Sequence, residues 1–187
     1  MPILSLLLAQ AGAFATEPVA DPLAGITPDW QLCSRPDEAA KSCTMMSTFI
    51  RGADGRYESV EHLSIMGLPG LVIEIKTASY VKNGALCGIV SLKDLDGARI
   101  IHHAQGVTPK QEATALQSLR FAYPVDGKEV CSTFYPDGVN FRLKHAFNGK
   151  PMPIDIDEGV VRWVHKDDGY AVAGWRGVIT TPLGSSR

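Results

Sequence analysis

The chain has 187 residues, 45% of them hydrophobic, 20% charged and 7% aromatic, which is enough for one domain with its own core and too little for two ordinary ones. Eighteen Lys and Arg stand against twenty Asp and Glu, a net charge of −2, so there is no basic surplus for nucleic acid and no acidic tail. A domain of this size folds without a metal or cofactor to staple it, and no cofactor is expected.

The chain opens with an apolar centre from Ile3 to Ala9 and then small residues, with Ala13-Phe14-Ala15 in the A-x-A pattern of a secretory cleavage site. Residues 1–15 therefore read as a secretory signal, although the basic leader that such signals usually carry is missing. Residues 16–29 follow as a proline-rich lead-in without hydrophobic period, expected to be loosely ordered. A single β-rich domain is expected over 30–182, with a flexible tail at 183–187. Every later apolar run is broken within about ten residues, short of the ~20 that span a bilayer, so no stable membrane span is expected. The expected location is periplasmic or secreted.

Four cysteines, Cys33, Cys43, Cys87 and Cys131, make an even count that reads as two disulfides in an exported chain. Of the three connectivities, Cys33–Cys43 with Cys87–Cys131 is favoured, because the first pair flanks the turn-like stretch Ser34 to Lys41 and a local loop closes easily. No C-x-x-C spacing occurs, which removes a thioredoxin-type site, and the wide spacing argues equally against a zinc knuckle.

Seven hairpin-type dipeptides punctuate the chain: Asp54-Gly55, Asn83-Gly84, Asp96-Gly97, Asp126-Gly127, Asp137-Gly138, Asn148-Gly149 and Asp168-Gly169. Between them lie runs of strand length with period-two alternation. Leu71, Ile73 and Ile75 oppose Glu74 and Lys76, and Val139, Phe141, Leu143, His145 and Phe147 oppose Asn140, Arg142 and Lys144. Further strands are predicted at 44–50, 57–65, 86–92, 98–104, 129–135, 160–165 and 170–175. One helix is predicted at about 109–121, where Thr108-Pro109-Lys110-Gln111 supplies an N-cap hydroxyl, a first-turn proline and a capping-box Gln; it should stop before Pro124. The fold class is mainly β, a β-rich α+β domain built as an antiparallel sandwich or barrel-like sheet of hairpins.

Chemistry is harder to place. The five histidines, His62, His102, His103, His145 and His165, form no ligand motif, and His102 and His103 point to opposite faces of a strand, so no metal is expected. His145 is the histidine to watch, since it falls on an apolar strand face. Asp155-Ile156-Asp157-Glu158-Gly159 lacks the spacing of a calcium loop, and His165-Lys166-Asp167-Asp168-Gly169 reads as a hairpin tip. Neither G-x-S-x-G nor H-E-x-x-H occurs. The weak catalytic candidates are His145, His165 and Asp155, which would need to converge in one pocket to serve a small hydrolase or lyase. Arg142 and Lys144, with Lys150 beyond the next turn, form a modest basic stripe suited to an acidic partner. A third reading, a secreted enzyme inhibitor, rests on the disulfide-bounded loop Ser34 to Ser42.

Asp29-Trp30-Gln31-Leu32-Cys33, followed by Cys43-Thr44-Met45, resembles the opening of the invasion-associated locus B family of bacterial periplasmic proteins, which begin with a Trp, a nearby Cys and a second Cys about ten residues on. The likeness covers about fifteen residues. It departs in a Trp-to-Cys interval one residue shorter, and the family's later close cysteine pair has no counterpart around Cys87 or Cys131. The resemblance implies a secreted, non-enzymatic β protein of the bacterial envelope, with no catalytic residue carried over; an envelope or host protein is the expected partner.

The expected function is that of an exported, envelope-associated binding or structural protein. Intact mass of the product from an exporting bacterial host should show loss of residues 1–15 and no alkylatable thiol before reduction. A full-length product with four free thiols would return the chain to the cytosol.

Overall fold

The computed structural model describes residues 17–65, 70–102, 108–122, 127–151 and 159–173. The expected signal at 1–15, the tail at 183–187 and Asp155 lie outside the described residues. The strands are β1 (Trp30–Ser34), β2 (Ser42–Cys43), β3 (Met45–Arg51), β4 (Tyr57–Ser64), β5 (Val72–Lys82) and β6 (Ala85–Val90), then β7 (Arg99–His102), β8 (Lys128–Asp137), β9 (Asn140–Phe147), β10 (Lys150–Pro151), β11 (Val160–His165) and β12 (Ala171–Val172). Two helices, α1 (Leu92–Asp96) and α2 (Pro109–Ala122), flank β7.

Eight of these strands close into an antiparallel barrel. Around the ring the order is β1, β3, β4, β5, β6, β8, β9 and β11, and β11 pairs back onto β1 with Trp30 opposite His165 and Ser34 opposite Val161. Each barrel strand thus pairs with the next one in the chain, an up-and-down meander closed by its first and last members. The β7 strand pairs with the start of β5, beyond the reach of β6, and β10 extends the β9 hairpin.

The mainly antiparallel β class is confirmed, with the barrel chosen over the sandwich. Local chemistry explains the boundaries. Asn83 and Gly84, both at positive φ, turn β5 into β6. The Thr108 hydroxyl receives the Gln111 N–H while the Gln111 side chain receives the Thr108 N–H, closing the expected capping box of α2. The run predicted as a strand to residue 92 ends instead at Val90, because Ser91 accepts from the Lys93 N–H and starts α1, whose Leu95 is buried. The β1 strand was not predicted: five residues between a proline-rich lead-in and a disulfide loop offer too short a period to read.

Three apolar clusters hold the fold. One fills an end of the barrel with Leu32, Phe49, Phe134, Leu143 and Val161. A second packs Leu71, Ile73 and Ile75 under Leu95 of α1 and Ala115 of α2. The third lies outside the barrel, where Cys33, Cys43, Met46 and Val164 are covered by Val172 of β12, which runs parallel to β2.

Both disulfides have the expected pairing. Cys33–Cys43 anchors the outer cluster, and Cys87–Cys131 joins directly opposed residues of β6 and β8. By loop-closure entropy alone they contribute about 3 and about 4 kcal/mol. Beside the second, the Tyr80 hydroxyl and the Lys82 ammonium on β5 both reach Glu129 on β8 across the intervening β6.

Residues 17–29 carry no hydrophobic period, and single contacts hold them. The Val19 N–H donates to the Phe134 carbonyl at 2.9 Å, and Leu23 enters the barrel-end cluster with 3% of its surface exposed. Gly84 lets this segment pass, since a Cβ there would sit 3.3 Å from the carbonyl oxygens of Val19 and Ala20. Among the described residues, no helix is long and apolar enough to cross a membrane.

Leu23→Ala should lower unfolding stability by about 2–4 kcal/mol in a urea titration, whereas Val139→Ala, at a hairpin tip and 70% exposed, should change it by less than about 0.5 kcal/mol. Equal effects would mean that the lead-in does not contribute to the core.

Candidate functional site

Strand alternation turns every second residue of the barrel inward, and the inward set is not uniformly apolar. Between the Phe49/Phe134/Leu143 cluster and the helix-covered cluster lies a cavity of about 230 Å³. Its walls are mostly apolar, but a polar belt crosses it: Ser47 from β3, Glu61 from β4, Thr77 and Ser79 from β5, Ser132 from β8 and His145 from β9. Asp94 of α1 also lines it. Around the eight-stranded ring, β4 and β9 stand four strands apart in either direction, so Glu61 and His145 face each other from opposite walls.

The belt is largely satisfied internally. The Ser59 and Ser79 hydroxyls share a hydrogen bond of 2.6 Å, and the Ser132 hydroxyl lies 2.9 Å from His145 Nδ1. Burial holds the His145 imidazole below the ordinary histidine range. Glu61 differs: it is half-buried on β4 and lines the cavity. Burial pushes its carboxyl up to about 7, against a smaller opposing pull from its hydrogen bond with Thr77. Among the described residues, no Lys or Arg lines the cavity.

His145 thus sits at the site, on the apolar strand face where the sequence put it. His165 does not join it. The β9–β11 register, Val160 opposite Arg142 and Val161 opposite Phe141, extends to set His165 level with Asp137, eight residues along the barrel wall from His145, or about 26 Å at the usual strand rise. There His165 packs edge-on against Trp30, with ring centroids 5.4 Å apart, and its Nδ1 accepts from the Asp167 N–H. Asp155 lies outside the described residues. A pocket shared by the two histidines is therefore not formed.

The basic stripe is on the outer face of the barrel, as the alternation requires. Arg142 pairs with Asp137 at 2.9 Å, Lys144 lies 4.8 Å from the Tyr135 ring centre, and Lys150 is exposed on β10. The loop Ser34 to Ser42 is stapled by Cys33–Cys43 and by paired backbone hydrogen bonds between Asp37 and Ser42. An S-x-x-K spacing does occur at Ser79-Tyr80-Val81-Lys82, but strand geometry separates its ends: Ser79 faces the lumen and Lys82 bonds Glu129 outside. Among the described residues, no three His, Cys, Asp or Glu side chains converge as a metal site.

Glu61 was not singled out in the sequence, although a signal for it was present. In 57–65 the residues Tyr57, Ser59, Glu61 and Leu63 share one face, and a carboxylate there is a charge placed where a core residue is due. No family model, no curated protein and no solved structure matches this chain.

The raised Glu61 carboxyl gives stability a defined pH dependence. Its folded pKa of about 7 exceeds the ordinary carboxylate value, so between roughly pH 4.5 and 7 the folded state holds a proton that the unfolded state has lost. Stability therefore falls as pH rises through that window, by roughly 3 kcal/mol in total, and is flat above it. Glu61→Gln should raise the melting temperature at pH 8 and leave it unchanged at about pH 4, where the carboxyl is mostly protonated in both states. A constant difference across the pH range would refute the buried-carboxyl account.

Proposed function

We propose that this protein is an exported, envelope-associated binding protein that holds a small ligand in its barrel lumen. The observation that carries this reading is the cavity. Eight-stranded barrels are just wide enough either to be filled by side chains or to hold one small ligand, and here the filling stops at both ends and leaves about 230 Å³ between them. Apolar walls with a few placed polar groups are the usual make-up of a ligand site. An apolar cavity of 150 Å³ takes up benzene, so by proportion this one suits a molecule of about ten non-hydrogen atoms.

Two disulfides support placement in an oxidising compartment. The secretory pattern at 1–15 and the invasion-associated locus B resemblance at Trp30, Cys33 and Cys43 support the envelope specifically. The hydrolase or lyase alternative loses support from the separation of His145 and His165 along the wall.

A set of small apolar and amphiphilic fragments, each near ten non-hydrogen atoms, should include members that raise the melting temperature in a saturable way. Val130→Phe fills the lumen without removing a polar group, and it should stay folded while losing those shifts. Shifts of equal size in wild type and Val130→Phe would mean that binding occurs elsewhere.

A further inference from the structure

The lumen is electrically one-sided. The ionisable groups lining it are Glu61 on β4, Asp94 on α1 and His145 on β9. The strands on either side of β4 present no charge to Glu61: β3 offers Ser47 and β5 offers Ile75 and Thr77. Across the cavity His145 is engaged by Ser132. Among the described residues, then, a half-buried carboxyl lines the cavity with hydroxyls, a second carboxyl and the His145 imidazole, and no Lys or Arg joins them.

We propose that the lumen takes a small apolar molecule carrying an ammonium group, which the Glu61 carboxylate receives. The proposal rests on the lumen being the ligand site and adds the chemical class of the ligand. Three alternatives for the polar end of such a molecule can be ranked by what each does to Glu61. A carboxylate ligand brings a negative charge toward two acids with no counter-charge, which burial makes costly. An alcohol brings no charge and leaves the protonation of the carboxyl as it was. An ammonium provides the missing opposite charge beside a half-buried carboxylate, where a charge-assisted hydrogen bond is stronger than in open water. The apolar body then extends from the polar belt toward Phe49, Leu86 and Phe134.

Ammonium binding is linked to protons. At pH 6 most of the free protein holds a proton on Glu61, whose carboxyl burial pushes up to about 7, and the cation displaces it to solvent. Affinity then falls about tenfold for each pH unit below 7. Protonation of His145 at lower pH adds a positive charge across the cavity and acts in the same direction.

The test is calorimetric titration of the full chain with three compounds sharing one skeleton: 2-phenylethylamine, 2-phenylethanol and 3-phenylpropionate. At pH 8 the amine should bind at least tenfold more tightly than the alcohol, and the carboxylate more weakly than either. Glu61→Gln should weaken the amine at least tenfold and change the alcohol less than twofold. Wild type titrated at pH 6 in two buffers of different ionisation enthalpy should release close to one proton per amine bound, a readout that needs no variant. Equal affinity for amine and alcohol, or no proton release, overturns the ammonium assignment while leaving the lumen as a ligand site. Absence of binding by all three compounds, together with fragment shifts that persist in Val130→Phe, overturns both.

Discussion

Everything in this fold depends on the antiparallel pairing of β1 with β11. Without it the meander is an open sheet with two unpaired edges and an inner face exposed to water. With it, the inner face becomes a lumen, and alternate residues of eight strands are committed to one enclosed volume. The Trp30 to Ser34 stretch also carries Cys33 outward, so the same five residues that seal the barrel tie it to the outer cluster around Cys43, Met46 and Val172.

Enclosure changes the meaning of every polar residue that the alternation turns inward. On an open sheet Ser47, Ser79 and Ser132 would be wet and unremarked. Inside the barrel each needs a partner, and among the described residues no buried side-chain nitrogen or oxygen lacks one. Hydroxyl pairs meet that demand with neutral groups. Glu61 meets it only in part, since Thr77 supplies one hydrogen bond and no charge. A sequence selected for stability alone would place a Leu or Val there. A carboxyl at that position is a departure from local consistency of the kind that marks functional sites.

What the sequence disclosed follows from which signals are local. Turn dipeptides and alternation are properties of a few neighbouring residues and located most long strands; the capping residues at Thr108 to Gln111 located the helix at Pro109–Ala122, and the easy closure of a local loop gave both cysteine pairs. The β1 strand and α1 are five residues each, too short for a period to separate them from their surroundings. Closure itself has no local signature, since it joins residues about 130 positions apart. Leu23 was obscured for the same reason: one anchoring side chain in a segment without period is visible only once the barrel end that receives it exists. Of the belt, His145 was legible from its strand face. Glu61 lay in a predicted strand, and its importance came from the opposite wall.

A ring of strands joined in sequence has no intrinsic beginning. The chain's first barrel strand and its last are hydrogen-bonded neighbours, and β2 and β12 repeat that neighbourhood outside. Cutting the two-residue turn at Gly138, which sits at positive φ with open space around it, would leave every strand pair intact provided that the native ends were joined by a linker. The architecture is therefore suited to circular permutation, and a reordered chain would present the same belt of Glu61, Ser132 and His145 to the same lumen.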